Sequence, residues 1–408
     1  MSGRALSALV LAAGPGSRMR SSRPKSLHLL CGRPMLLYVL DSLGSVDVAR
    51  TVVVIGPGAE RITKRVGEDA PDLHVDFVEQ LHPRGTADAV AAGLSALPDE
   101  DPGDDDVLVL AGDLPLLSPA TVAGLVERHR SADSACTLLV ARGTPEQLGD
   151  RSRVVRGRRG TIMHLRRPDE PGVLDELDLL DVLDEVGLPG ELAPGEATDL
   201  RAEPAGTAEP AGEDGAAGEN EAAEAAVLVC CFRRSSLGPA LRRIVPDPFD
   251  GEYRLFDVIE VLDRAGYPVG SHEADLTEVA EVADRARLAD VEAELRRRLN
   301  LGWLRAGVTF VDPVTAYVDA TVELGRDVTI FPNTLLQGRT VVGEGAEIGP
   351  DTRLVDCAVG ARARVERTTG RDAEVGAGAT VGPFVALEPG AQVPRDGRVP
   401  PFTTVREL

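Results

Sequence analysis

Toward the end of the chain an aliphatic side chain returns at every sixth position. Val318, Leu324, Ile330, Leu336, Val342, Ile348 and Leu354 mark successive hexads, several followed by glycine. The register slips at Val359 and Val365 and resumes at Val375, Val381, Leu387 and Val393. A helix repeats near 3.6 residues and a half-buried strand near two, so a period of six suits neither. It suits a hexapeptide β-helix, in which three hexads close one triangular coil around a narrow aliphatic core. The visible repeat predicts roughly four coils within 308–408.

A chain of 408 residues is too long for one ordinary core, and the part before the repeat has a different character. Short β-rich runs alternate with helix-like segments, the pattern of a mostly parallel α/β sheet. Strands are expected at Ala8–Ala12, Thr51–Ile55, Leu73–Phe77, Val107–Ala111, Ala135–Val140 and Val227–Phe232, and helices at Met35–Leu43, Thr86–Leu97 and Pro119–Arg130. Residues 169–226 are rich in Glu, Asp, Ala, Gly and Pro, with Arg201 the only basic residue, and read as a solvated acidic insert. Within it Val173–Leu188 could form a small amphipathic helix. A charged helix over Leu276–Leu304 reads as an exposed connector to the repeat. The expected domains are therefore 1–272, a connector over 273–307, and 308–408.

The chemistry is written near the start. The run from Leu9 ends in Ala13-Gly-Pro-Gly-Ser-Arg-Met19, with Pro24-Lys25 close behind. Glycines let backbone N–H groups approach an anion, and Arg18 and Lys25 can neutralise a polyphosphate. The spacing is neither that of the P-loop nor that of the dinucleotide fingerprint. Ligands of such sheets bind beyond the carboxyl ends of the strands. Gly14 and Asp113 each follow a strand end, so both should face one crevice.

A net charge of −22 and 3% aromatic residues oppose nucleic-acid and anionic-membrane binding. No apolar run is long enough to span a bilayer. Residues 5–13 resemble a short signal-peptide core, but cleavage there would remove the glycine turn. The five cysteines, Cys31, Cys136, Cys230, Cys231 and Cys357, have neither disulfide-like nor zinc spacing and read as reduced thiols. A cytoplasmic protein is expected.

Together these features resemble the bifunctional N-acetylglucosamine-1-phosphate uridyltransferase/glucosamine-1-phosphate acetyltransferase family. The resemblance runs through Leu11–Met19, Pro24–His28, Gly32–Met35, Gln80, Gly85–Ala89, Gly112–Pro115, Gly251–Tyr253 with Asp257, Ala306–Thr309, Asp312-Pro313 and Val381–Phe384. It implies a Rossmann-like, glycosyltransferase-A-type nucleotidyltransferase domain followed by a short left-handed β-helix. It also implies that Leu11, Ala12, Ala13, Gly14 and Gln80 frame the uracil and ribose of UTP, and that Gly85 and Thr86 close over the nucleotide. Arg18 and Lys25 would hold the phosphates and Asp113 would ligate Mg²⁺; a turn or N-cap role is the alternative for Asp113. The acceptor would be a sugar-1-phosphate, by default N-acetylglucosamine-1-phosphate. Its oxygen would attack the α-phosphorus, with pyrophosphate leaving. A homotrimer through the β-helix is the family's habit.

Several family positions differ. The first loop has Pro15 where the family has lysine. A second uracil-pocket glutamine aligns with Pro83, and a histidine with Asp88. The sugar motif is reduced to Gly149-Asp-Arg-Ser-Arg153, no glutamate lies at His164–Leu165, and an asparagine aligns with Ala226. The asparagine taken as second magnesium ligand aligns with Pro248, leaving Asp247 or Asp250 as replacements. The family's acetyl-transfer residues lie in coils after the Gly-Pro-Phe segment and have no counterparts here, so the second activity is expected to be absent. Three readings stay open: a single-function transferase, a non-catalytic nucleotide-binding paralogue or partner subunit, and a transferase for another acceptor such as a sugar alcohol phosphate.

Overall fold

The computed structural model describes residues 4–58, 60–98, 105–157, 160–167 and 223–406. Nine strands form the first sheet: β1 (Leu6–Ala12), β2 (Arg50–Ile55), β3 (Asp76–Glu79), β4 (Asp106–Ala111), β5 (Cys136–Gly143), β6 (Arg153–Arg156), β7 (Ile162–Arg166), β8 (Ala223–Arg233) and β9 (Val269–Glu273). The order is β9-β5-β8-β4-β1-β2-β3, with β6 pairing β8 and β7 beside the main path. Along that path only β8 runs against its neighbours. The central strands are apolar on both faces, as a sheet covered on both sides requires. Leu6, Ala8 and Val10 of β1 face a core shared with helices α1 (Met35–Asp41) and α4 (Pro119–Ser131). Leu9 faces the opposite core, beside α3 (Thr86–Ser95) and α6 (Asp257–Arg264). Helices α2 (Glu60–Asp69) and α5 (Arg234–Leu241) complete these layers.

The strand placed at Leu73–Phe77 lies at Asp76–Glu79. β8 starts at Ala223, so the last residues assigned to the acidic insert are paired with Gly143 and its neighbours. A bulge between Val227 and Cys230 then shifts the β8–β5 register, a device that bends a strand locally. The rest of the insert, including the helix expected at Val173–Leu188, lies outside the described residues.

The connector differs more. Helix α7 runs from Arg285 to Arg305, and Asp284 caps it by accepting the Arg287 N–H at 2.9 Å. Residues 276–284 are therefore a loop, because the cap stops the helix from extending backward. Nor is α7 merely exposed. Val291 and Leu295 pack with Met19, Leu30, Met35 and Leu116, and Arg298 donates to the Leu116 carbonyl at 2.8 Å. At its far end buried Asn300 donates to the carbonyls of Pro313 (2.9 Å) and Ala316 (3.1 Å), so the helix closes the first coil of the repeat.

That repeat is a left-handed parallel β-helix of three sheets, with six, six and five short parallel strands. It has more coils than the visible hexads predict. The first inward residue, Phe310, precedes Val318 by eight residues rather than six, and Val399 and Val405 extend the stack. Gly370 takes an inward place between Leu354 and Leu387, where an added Cβ would stand 3.1 Å from Leu354 Cδ2, so a side chain there would need the leucine to shift. Its lack of a side chain hides one coil from an aliphatic count.

Candidate functional site

Beyond the carboxyl ends of β1, β3 and β4 lies a cleft of about 600 Å³. It is lined by Leu11, Ala12, Ala13, Gly14, Arg18, Lys25, Gln80, Gly85, Thr86 and Asp113. These ten positions come from separate segments, and the parallel order of the sheet brings their ends together. Gly149 does not line the cleft: it caps the short helix Pro145–Leu148 with φ of 58°, and its carbonyl accepts from Arg153 at 2.9 Å. Its motif resemblance reflects a turn.

The glycine turn works by close approach. Gly16 has φ of 61°, and a Cβ there would stand 2.8 Å from the Lys25 Cβ. Glycine therefore lets the lysine segment fold against the turn. Met19, buried among Leu30, Met35 and Leu116, anchors the same loop. Arg18 is exposed at the cleft and forms no ion pair among the described residues.

On the opposite wall Gln80 directly follows β3. Its side-chain amide donates to the Gly85 carbonyl at 3.2 Å and to Asp88 Oδ2 at 2.7 Å, and Arg84 reaches the other Asp88 oxygen at 3.3 Å. Both amide protons are thereby used, which leaves Gln80 Oε1 as the acceptor for a ligand. Gly85 has φ of 104°, and a Cβ would meet the Tyr253 carbonyl at 2.4 Å. Thr86 Oγ1 accepts the Leu255 N–H at 2.9 Å, so the Gly251-Glu-Tyr segment is latched to the start of α3.

Asp113 is the centre of charge. Its Oδ2 pairs with the Lys25 ammonium, while its Oδ1 is buried with no hydrogen-bond partner among the described residues. An orphaned, buried carboxylate oxygen is costly unless a cation or donor meets it. Sequence reasoning missed Glu281, which lines the same cleft with Oε1 3.8 Å from Lys25 Nζ. Burial and the neighbouring Asp113 push the Glu281 carboxyl up, against the pull of Lys25. The Val282 N–H donates to the Asp113 carbonyl at 3.1 Å, which fixes the Glu281 loop against β4. The nearest signal in the sequence is the Asp284 cap, which ends the loop just beyond Glu281. These oxygens fit a hard divalent cation such as Mg²⁺, which takes one or two carboxylates plus substrate phosphates.

The two aspartates proposed to replace the missing asparagine are engaged elsewhere. Asp247 accepts from Arg167 at 2.5 Å and from the Phe249 N–H at 2.9 Å, contacts that hold its carboxyl below the usual range. Asp250 accepts the Glu252 N–H at 2.9 Å and pairs with Arg254. Neither lines the cleft. Its remaining wall is polar in an unexpected way: Arg151, Arg167, Arg254 and Asp257 face it, and burial raises the Asp257 carboxyl.

A MobA-like NTP transferase domain is recognised over residues 8–259. "Bifunctional protein GlmU" of Rhodococcus opacus (strain B4) is 38% identical over 401 residues, spanning 98% of this chain and 71% of that protein. The chain belongs to the GlmU family. The GlmU of Mycobacterium tuberculosis (strain ATCC 25177 / H37Ra) matches at the same identity and coverage, 38% over 401 residues. A solved structure of CMP:2-keto-3-deoxy-manno-octonic acid synthetase complexed with CTP covers 72% of this chain at 17% identity and a TM-score of 0.47, too distant to bear on GlmU chemistry. No helix among the described residues is long and apolar enough to cross a membrane.

Proposed function

We propose that the cleft couples a nucleoside triphosphate, UTP by default, to a sugar-1-phosphate, by default N-acetylglucosamine-1-phosphate. What carries this reading is the convergence of Arg18, Lys25 and Asp113 on one cleft opposite Gln80. A phosphate oxygen of the acceptor forms a bond to the α-phosphorus, the bond from that phosphorus to the β-bridging oxygen breaks, and pyrophosphate departs with the electron pair. No covalent nucleophile on the protein is required, so the rate comes from placement and charge neutralisation. Gln80 and the backbone of Leu11–Gly14 hold base and ribose, and Gly85 and Thr86 bound the pocket beside them. Arg18 supplies an unpaired guanidinium to the polyphosphate. Lys25 sits in the salt bridge with Asp113 and is positioned to pass from that carboxylate to a phosphate. Mg²⁺, held by Asp113, would offset phosphate charge and polarise the phosphoryl oxygens.

The non-catalytic reading draws on the far wall, where the sugar motif is reduced and Asp247 engages Arg167 and Arg254. Pyrophosphate release separates the two. With Mg²⁺, each NTP and a panel of sugar-1-phosphates, the transferase reading expects release with UTP well above that of Asp113→Ala. UTP binding without release from any acceptor would establish the partner-subunit reading; release with a sugar alcohol phosphate alone would redirect the acceptor class. The flat β-helix faces suit a homotrimer, which sedimentation would detect, and a cytoplasmic setting accords with five buried, free thiols.

A further inference from the structure

We propose that Glu281 is the second carboxylate ligand of the divalent cation, and that the Lys25 ammonium occupies the place between Asp113 and Glu281 until metal and nucleotide arrive. Three observations carry it. Lys25 Nζ lies between the carboxylates, paired with Asp113 Oδ2 and 3.8 Å from Glu281 Oε1, so a cation already bridges them. Asp113 Oδ1 is buried and unpartnered among the described residues, so the ammonium does not satisfy the coordination on offer. The backbone hydrogen bond from Val282 N–H to the Asp113 carbonyl ties the two carboxylate-bearing segments together.

Three further aspartates are already engaged. Asp247 and Asp250, which do not line the cleft, are held by Arg167, Arg254 and backbone N–H groups, and Asp284 spends its carboxylate on the cap of α7. Among the described residues no group of three or more acidic, histidine or cysteine side chains could hold a metal. A pair of carboxylates is the arrangement expected where nucleotide phosphates complete the coordination of a small, hard ion. Exchange also has a chemical use. Lys25 cannot neutralise a phosphate while it is shared by two carboxylates; a divalent ion that takes both frees it for the triphosphate. The inference leans on the transferase reading only for the identity of the nucleotide.

Mn²⁺ binding to the nucleotide-free protein, followed through the paramagnetic resonance signal of the free ion, tests it directly. Lys25→Met removes the competing ammonium and should tighten Mn²⁺ by about tenfold or more, since a unit charge at this distance is worth at least that. Adding Glu281→Gln should abolish the gain, and Glu281→Asp should keep part of it. In the otherwise unaltered chain, Glu281→Gln should remove most of the enhancement that Mn²⁺ gives to UTP affinity, with circular dichroism unchanged. If Lys25→Met/Glu281→Gln binds Mn²⁺ as tightly as Lys25→Met, Glu281 only partners the lysine and the proposal fails. That outcome is independent of turnover: an absence of pyrophosphate release with every acceptor would end the transferase reading and leave the metal result standing.

Discussion

The α/β sheet and the β-helix solve the problem of burying aliphatic side chains in opposite ways. In the β-helix each coil repeats the last: Leu336 stacks on Leu354, and Ile348 on Val365, with contacts only to neighbouring coils. Such a stack is quasi-one-dimensional, and its residues are committed to holding it together. In the sheet, two separate cores carry the load on either face, and the strand ends are left free. Most residues at the cleft sit on one of those ends, at a helix start or on a loop folded over them. Regularity makes a stable object; chemistry needs several irregular segments held still by something regular.

The largest expected effect lies where the sheet is least regular. Asp113→Asn should lower pyrophosphate release by about 10²–10³-fold, the scale of losing one preorganised electrostatic contact, while the melting temperature moves little. A large shift in melting temperature would show the aspartate to be structural, and would break the division of labour. The converse variant is Leu336→Ala in the β-helix core, where the side chain is fully buried. It should cost about 2–5 kcal/mol by cavity formation, read from denaturant unfolding, with UTP affinity unchanged. Reduced UTP affinity would mean that the coils support the cleft. Gly85→Ala tests a position where fold and site coincide, since its φ of 104° and the Tyr253 carbonyl both exclude a side chain. Destabilisation of about 1–3 kcal/mol should come with weaker UTP binding; normal binding would remove Gly85 from the nucleotide wall.

The smallest effect belongs to α7, which joins the two regions. Hydrogen bonds from Arg297 and Arg298, opposed by partial burial, hold the Glu294 carboxyl down at about 2 from 4.5. A depressed carboxyl contributes stability that is present above its unfolded value and is lost as pH falls through the folded one. Stability should therefore decline between pH 4.5 and 2 slightly less in Glu294→Gln than in the parent chain, by under about 1 kcal/mol for such a surface cluster. An equal decline in both would show that the cluster adds nothing.

Legibility followed the same division. Hexads announced the β-helix because its period is unlike that of any other element, and the count fell short where Gly370 and the eight-residue step from Phe310 interrupt it and where Val399 and Val405 carry it on. Six of the nine strands of the sheet were visible as apolar runs, with an error at β3, whose residues are only partly buried; β6, β7 and β9 were not, because most of their residues are half-buried. Arg18, Lys25 and Asp113 could be placed in advance because they lie in the glycine turn, just after it, or at a strand end; Gln80 came from the family resemblance alone. Glu281 could not be placed. It lies far along the chain, in charged sequence that mimics a helix, and only the Asp284 cap and the backbone bond to Asp113 turn it toward the cleft. Gly149 erred the other way, as a motif remnant that serves a helix end.

One consequence follows from the bond between Val282 and Asp113. The seam between catalytic unit and scaffold is not at Glu273, where the sheet stops, but past the start of α7. An excised fragment cut at the sheet's edge would lack one rim of its own pocket. The stretch that looks like a tether is a shared part, and anyone trimming this chain to its minimum must carry that part along.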